Sequence, residues 1–124
     1  MKIELFNQST YDSAVIRRPI IKLVKKIIAE EKFKLQRLNI IIADDDYLKK
    51  LNKLFFKKNR PTNVISFNLD EVSEIYVSFN QAKDVSELYY YIIHGLLHIL
   101  GYDHTNRKEE KIMDDKCLKY LKYV

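Results

Sequence analysis

The eleven residues HGLLHILGYDH, His94 to His104, hold all three histidines of a 124-residue chain. On a helix, His94 and His98 fall one turn apart on the same face, so both rings can reach one point. Gly101 follows three residues later, and glycine is the residue type that ends helices with a turn. A chain that turns there brings His104 back towards the other two rings. Three neutral imidazoles suit zinc, one ion per chain, and leave a fourth coordination position open. An open position is the mark of a catalytic site, where the ion lowers the pKa of water and polarises a substrate oxygen. Nickel, manganese or copper can also occupy a set of imidazoles.

Metzincin proteases share this histidine spacing but carry a glutamate after the first histidine. Here that position is Gly95. A zinc peptidase is therefore disfavoured, since no glutamate is placed to activate water. The glycine leaves room beside the ion for a larger anionic group such as a phosphate. No side chain stands out as a general base. Asp103 has two readings of equal weight, one orienting a ligand histidine and one capping the turn. Cys117 as fourth ligand of a closed structural site is an alternative. Its place beside Met113 and Leu121 on a helical stripe fits a buried thiol better. Met113 falls within the same helical pattern and is not read as a turn methionine. The run Asp44 to Asp46 resembles a metal cluster, but helix capping and the helix dipole account for it.

Several elements must position these residues. KIELF reads as a first strand, followed by candidate caps Ser9, Thr10 and Ser13. From Pro19, IIKLVKKIIAEEKF places Ile20, Leu23, Val24, Ile27 and Ile28 at helical spacing. LNIIIA, Leu38 to Ala43, reads as a strand buried on both faces. DDYLKKLNKLFF reads as a helix, Val64 to Phe67 and Glu74 to Asn80 as strands. Ser86 is the expected N-cap of ELYYYIIHGLLHIL, and Thr105 or Asn106 that of RKEEKIMDDKCLKYLKY. The expected class is α+β: a single mixed sheet of about four strands with helices packed on it.

The chain has the length of one domain, 1–124. Hydrophobic content of 47% and charged content of 31% suit a folded globular protein. No apolar run reaches the length of a membrane span, and Glu4 and Asn7 interrupt the place of a signal peptide core. One cysteine excludes an intrachain disulfide, and a reducing cytoplasm is the expected compartment. The net charge of +5 and pI of about 9.2 suit a polyanionic partner. The excess of lysine over arginine also fits a plain bias in residue usage. Lys49, Lys50, Lys53, Lys57, Lys58 and Arg60 are interleaved with Tyr47, Phe55 and Phe56, a pattern that meets phosphates and stacks bases. An amphipathic helix with Leu48, Leu51, Leu54 and Phe55 towards the core produces the same pattern.

HGLLHILGYDH resembles the H-G-x-L-H-x-x-G-Y-D-H signature of the YbeY family of rRNA maturation endoribonucleases. LNKLFFKKNRPTNVISF is similar to that family's second block, L-N-x-x-Y-R-x-K-D-x-P-T-N-V-L-S-F, at Leu51, Asn52, Lys58, Pro61 to Val64, Ser66 and Phe67. The resemblance implies a metal-dependent, single-strand-specific endoribonuclease with His94, His98 and His104 as metal ligands. It further implies a cytoplasmic protein acting on precursor rRNA, including 16S 3′ end processing, and in quality control at the ribosome or its small subunit, with no DNA partner. The chain departs from the family where Phe56 stands in place of an arginine; Lys57 or Arg60 is the candidate stand-in, and Lys57, Lys58 and Arg60 the candidate RNA contacts. It also has Ser73 and Glu74 in place of a Gly-Asp pair, and is short between the second block and the histidine helix. Arg60 and Asp103 are the candidate catalytic side chains. The rival reading is a zinc-containing, RNA-binding ribosome assembly factor that cuts nothing.

Overall fold

The computed structural model describes residues 1–58 and 62–124. Its elements run β1 (Lys2–Asn7), α1 (Ala14–Glu30), β2 (Arg37–Ala43), α2 (Asp45–Phe56), β3 (Val64–Asn68), β4 (Val72–Ser78), α3 (Val85–Ile99) and α4 (Arg107–Leu121). The four strands form one mixed sheet in the order β1-β2-β4-β3. β1, β2 and β4 are parallel, so helices must carry the chain back between them. β3 pairs antiparallel with β4 in a tight hairpin and forms one edge. The class is the α+β arrangement expected.

Strand periodicity divides the core in two. Leu5, Leu38, Ile40, Ile42, Ile75 and Val77 face one side, where α1 and α3 cover them and α4 packs on α3. Ala43 and Ile65 face the other, where Leu48 of α2 seals a smaller cluster with Tyr47, Leu51, Phe67 and Tyr76 around it. The β2 run from Ile40 to Ala43 is buried on both faces, as its unbroken β-branched sequence requires.

Several boundaries differ from the sequence reading, and tertiary contacts explain the main ones. α1 begins at Ala14 and takes Pro19 inside it. Burial of Ile16 beside Ile20 extends the apolar stripe one turn upstream and outweighs the missing proline N–H. That helix stops at Glu30, because Lys32 adopts a left-handed φ of 55° and Phe33 N–H returns to the Ile28 carbonyl. β4 starts at Val72 and ends at Ser78, its start set by the hairpin partner Asn68, which faces Ser73. α3 is capped by Asp84, not Ser86: the Asp84 carboxylate accepts the Glu87 N–H at 2.9 Å. Asp44 and Asn106 cap α2 and α4 in the same manner. Among the described residues no helix is long and apolar enough to cross a membrane.

Candidate metal centre

The centre is built by α3 and the turn that ends it. His94 and His98 project from one face of α3, while the opposite face, with Leu88, Ile92, Leu96 and Ile99, enters the core. At the C-terminus Gly101 takes φ +107°, a value that glycine alone adopts freely. The Tyr102 N–H then reaches back to the Leu97 carbonyl and the Gly101 N–H to the His98 carbonyl. This double closure is a Schellman motif. It reverses the chain and delivers His104 to the other rings. Ring centroids lie 4.9 Å apart for His94 and His98, 5.6 Å for His94 and His104, and 4.9 Å for His98 and His104.

One ring nitrogen from each histidine lies within 4.8 Å of the others. Three nitrogens bound tetrahedrally to one ion at normal length stand about 3.3 Å apart, so the rings are near coordinating distance. Three imidazoles with no carboxylate favour a borderline-soft transition metal over magnesium or calcium. The site can hold a metal ion. Among the described residues no other group of three His, Cys, Asp or Glu side chains converges in this way, and the Asp44 to Asp46 run does not.

The surroundings keep the His94 and His98 imidazoles in their metal-binding form. Burial pushes the His94 pKa down to about 4, helped by repulsion from His98 and His104 and opposed by the Asp114 carboxylate. His98 is lowered as well, chiefly by burial and then by His104, against Asp103 and a hydrogen bond to the Tyr102 backbone. That backbone contact is of the type that orients metal-binding histidines. Asp103 itself is exposed, and its carboxylate accepts the His104 N–H at 2.7 Å. The turn-capping reading has this hydrogen bond, while the link to a ligand is the action of the Asp103 charge on His98.

A second tier of contacts holds the turn. The Glu31 carboxylate at the end of α1 accepts the Tyr102 hydroxyl at 2.5 Å and the Lys116 ammonium at 2.8 Å, and also bonds the Tyr120 hydroxyl. Burial alone would raise the Glu31 pKa. The hydrogen bonds from Lys116, Tyr102 and Tyr120 outweigh it and hold Glu31 below its ordinary value. On the other flank Tyr90 stacks on His94, with ring centroids 6.4 Å apart, and hydrogen-bonds Asp114. Tyr90, His94 and His98 share the i, i+4 spacing, a signal in the sequence that points to Tyr90. Glu31 and Asp114 carry no such signal, because they arrive from other elements.

Two hollows meet at the triad, with Val64 and His104 lining both. One of about 490 Å³ runs past His98 to Asn52, Phe56, Lys58 and Thr62. The other, about 340 Å³, runs past His94 to Tyr90, Met113 and Asp114. Of the basic residues singled out in the sequence, Lys58 lines the first hollow, while Lys57 ends α2 in a left-handed conformation without lining it. Arg60 and Pro61 lie outside the described residues. Cys117 is fully buried, and burial pushes its thiol up to about 12, so it behaves as a core residue and is no part of the triad.

Gly95 has a role other than leaving room at the metal. The three atoms nearest a Cβ built there are Ile75 Cγ2 at 2.9 Å, Val64 Cγ2 at 3.0 Å and Ile75 Cγ1 at 3.6 Å. The glycine lets α3 lie directly on β3 and β4, which brings the histidine face to the sheet edge.

Comparison with known proteins agrees with this architecture. The family model described as Endoribonuclease YbeY matches residues 4–124. The Endoribonuclease YbeY of Acholeplasma laidlawii is 33% identical over 127 residues, covering 91% of this chain and 89% of the relative. That of Petrotoga mobilis is 38% identical, covering 89% and 85%, and that of Syntrophus aciditrophicus 34% identical, covering 90% and 81%. The solution structure of TM1509 from Thermotoga maritima superposes with a TM-score of 0.66 at 31% identity, over 99% of this chain and 88% of the other.

Proposed function

The chain belongs to the Endoribonuclease YbeY family, and from that membership we propose that it is a zinc-dependent endoribonuclease acting on single-stranded RNA. One ion per chain is held by His94, His98 and His104. Precursor rRNA is the substrate class, including the 3′ end of 16S rRNA, and the ribosome or its small subunit is the partner in maturation and quality control. The protein works in the cytoplasm as a single domain, 1–124.

The observation that carries this reading is the convergence of three imidazoles, within 4.8 Å, where two solvent-facing hollows meet. When bound, zinc supplies Lewis acidity towards a phosphodiester oxygen and a readily ionised water. The chain's own groups do the rest. Burial keeps His94 and His98 neutral, so protons compete weakly for their nitrogens. Lys58 lines the hollow beside His98, which supports it as the cation that meets a phosphate and the charge that develops on it. Arg60, two residues further, is the second candidate for that task, and Lys57 contributes to the basic surface. Asp103 is assigned to the turn.

The test uses protein purified free of contaminating nuclease and a labelled single-stranded RNA. Cleavage should stop with chelator and return with added zinc. Stoichiometric zinc with no cleavage would replace this reading by the assembly-factor one.

A further inference from the structure

Helix α2 ends in an unusual way. Leu54, Phe55 and Phe56 are successive and exposed, at 74%, 57% and 48% of their surfaces. Exposed apolar clusters of this kind usually mark a binding surface. Phe56 differs from its neighbours because it also lines the hollow that contains His98 and His104. One face of its ring lies on Phe67, with centroids 6.2 Å apart and planes at 16°. Half of the residue remains exposed, and the residue lines the hollow. Phe67 is held in turn by edge contacts with Phe55 at 5.1 Å and Tyr76 at 5.9 Å, and Tyr76 stacks on Tyr47. Phe56 is thus the last ring of a supported aromatic series that runs from the second core cluster to the wall of the site.

Charge identifies the occupant. From Tyr47 to Lys58 the chain carries Lys49, Lys50, Lys53, Lys57 and Lys58 and no acidic residue. Such a surface repels a second copy of itself and attracts a polyanion. An aromatic face beside a lysine is the pairing that binds single-stranded nucleic acid, with a base on the ring and a phosphate at the ammonium. The hollow of about 490 Å³ lies within the size range of small-ligand sites, so it suits one nucleotide.

We propose that Phe56 is a base-stacking residue for a nucleotide bound beside the histidine triad, with Lys58 meeting that nucleotide's phosphate. The proposal rests on the RNA-cleaving reading above and extends it to substrate selection. A base can lie on Phe56 only when it is unpaired, so this residue makes the site select single strands.

The chain contains no tryptophan, which makes the test direct. Phe56→Trp places a single fluorescent reporter on the wall of the hollow. Zinc-loaded protein is titrated with a short, cleavage-resistant 2′-O-methyl oligoadenylate, and with the same strand in a duplex. The single strand should quench the tryptophan saturably and the duplex should not. In parallel, binding of the labelled oligoadenylate to wild type and to Phe56→Leu is followed by polarisation. Loss of one stacked base, worth about 1–3 kcal/mol, weakens binding roughly fivefold to 150-fold. Equal binding by wild type and Phe56→Leu, with unchanged tryptophan emission, would overturn the role of Phe56 and leave the RNA reading intact. Absence of binding by every form would overturn both. A tryptophan shift that depends on protein concentration without RNA would assign the surface to self-association and overturn the proposal. Should Phe56→Leu melt early, the tryptophan titration decides alone.

Discussion

Gly95→Ala separates two explanations of the glycine beside the first histidine. If glycine is there only to leave space near a metal, alanine at a helical position should stabilise the protein by about 1 kcal/mol through helix propensity. The structure predicts the opposite sign. An alanine Cβ would stand 2.9 Å from Ile75 Cγ2 and 3.0 Å from Val64 Cγ2. Carbon atoms pack at about 3.5–4.0 Å, so both methyls must retreat by roughly 0.5–1 Å. Ile75 is fully buried in the sheet and has a stiff β-branched side chain. Overpacking of such a contact costs about 1–3 kcal/mol. After the propensity gain, Gly95→Ala should be less stable by about 1 kcal/mol, which lowers Tm by roughly 4 °C in a domain of this size. The three histidines lie on α3 and the turn that ends it, so this shift carries them together and zinc affinity should change less than stability. Urea and thermal melts of the metal-stripped proteins measure the first effect, and competition with a chelator the second. A Gly95→Ala protein more stable than wild type would refute the argument that α3 is seated by this contact.

Acid should destabilise the metal-free protein in two windows. His94 titrates at about 4 when folded and near 6.5 when unfolded, so its contribution is complete above pH 6.5 and is lost as pH falls towards 4. A span of about 2.5 pH units at ~1.4 kcal/mol each sets an upper bound of about 3.5 kcal/mol, which solvent screening of this partly exposed ring reduces. The depressed Glu31 carboxylate adds a loss below its unfolded value near 4.5. Stability that stays flat from pH 7 to 4 in urea melts would contradict this. Glu31→Ala should cost about 2–4 kcal/mol, because it strands Lys116, Tyr102 and Tyr120 in a partly buried site. Through the Tyr102 turn it should also weaken zinc binding about 10- to 100-fold; unchanged affinity would show that Glu31 holds the fold and not the site.

Much of the site was legible because it is local. Two histidines four apart, a glycine and a third histidine form one helix and one turn, and short-range stereochemistry decides both. The strands were legible for a related reason, since β2 and β4 carry continuous or alternating apolar residues. What was missed depends on contacts between distant segments. Burial of Ile16 against the sheet moves the start of α1 past a proline, which no local propensity favours. Glu31 lies 71 residues before its partner Tyr102. The reason for Gly95 is visible only once β3 and β4 are in place. The segment from Tyr47 to Lys58 allowed either a core-facing helix or an RNA surface, and the structure shows a helix with one buried face and an exposed apolar end. Leu48 and Asn52 are buried while Leu54, Phe55 and Phe56 are exposed, so the expectation that Leu54 and Phe55 face the core is corrected: the helix runs past the edge of the sheet's second face.

The central claim is that the three histidines form one metal site on which RNA cleavage depends. Its most direct test is zinc content per chain, measured by mass spectrometry on wild type and His98→Ala, together with cleavage of a single-stranded RNA by the same samples. The account predicts about one zinc per chain in wild type, with metal and cleavage lost together in His98→Ala. Undiminished cleavage by a His98→Ala protein that carries no metal would contradict it.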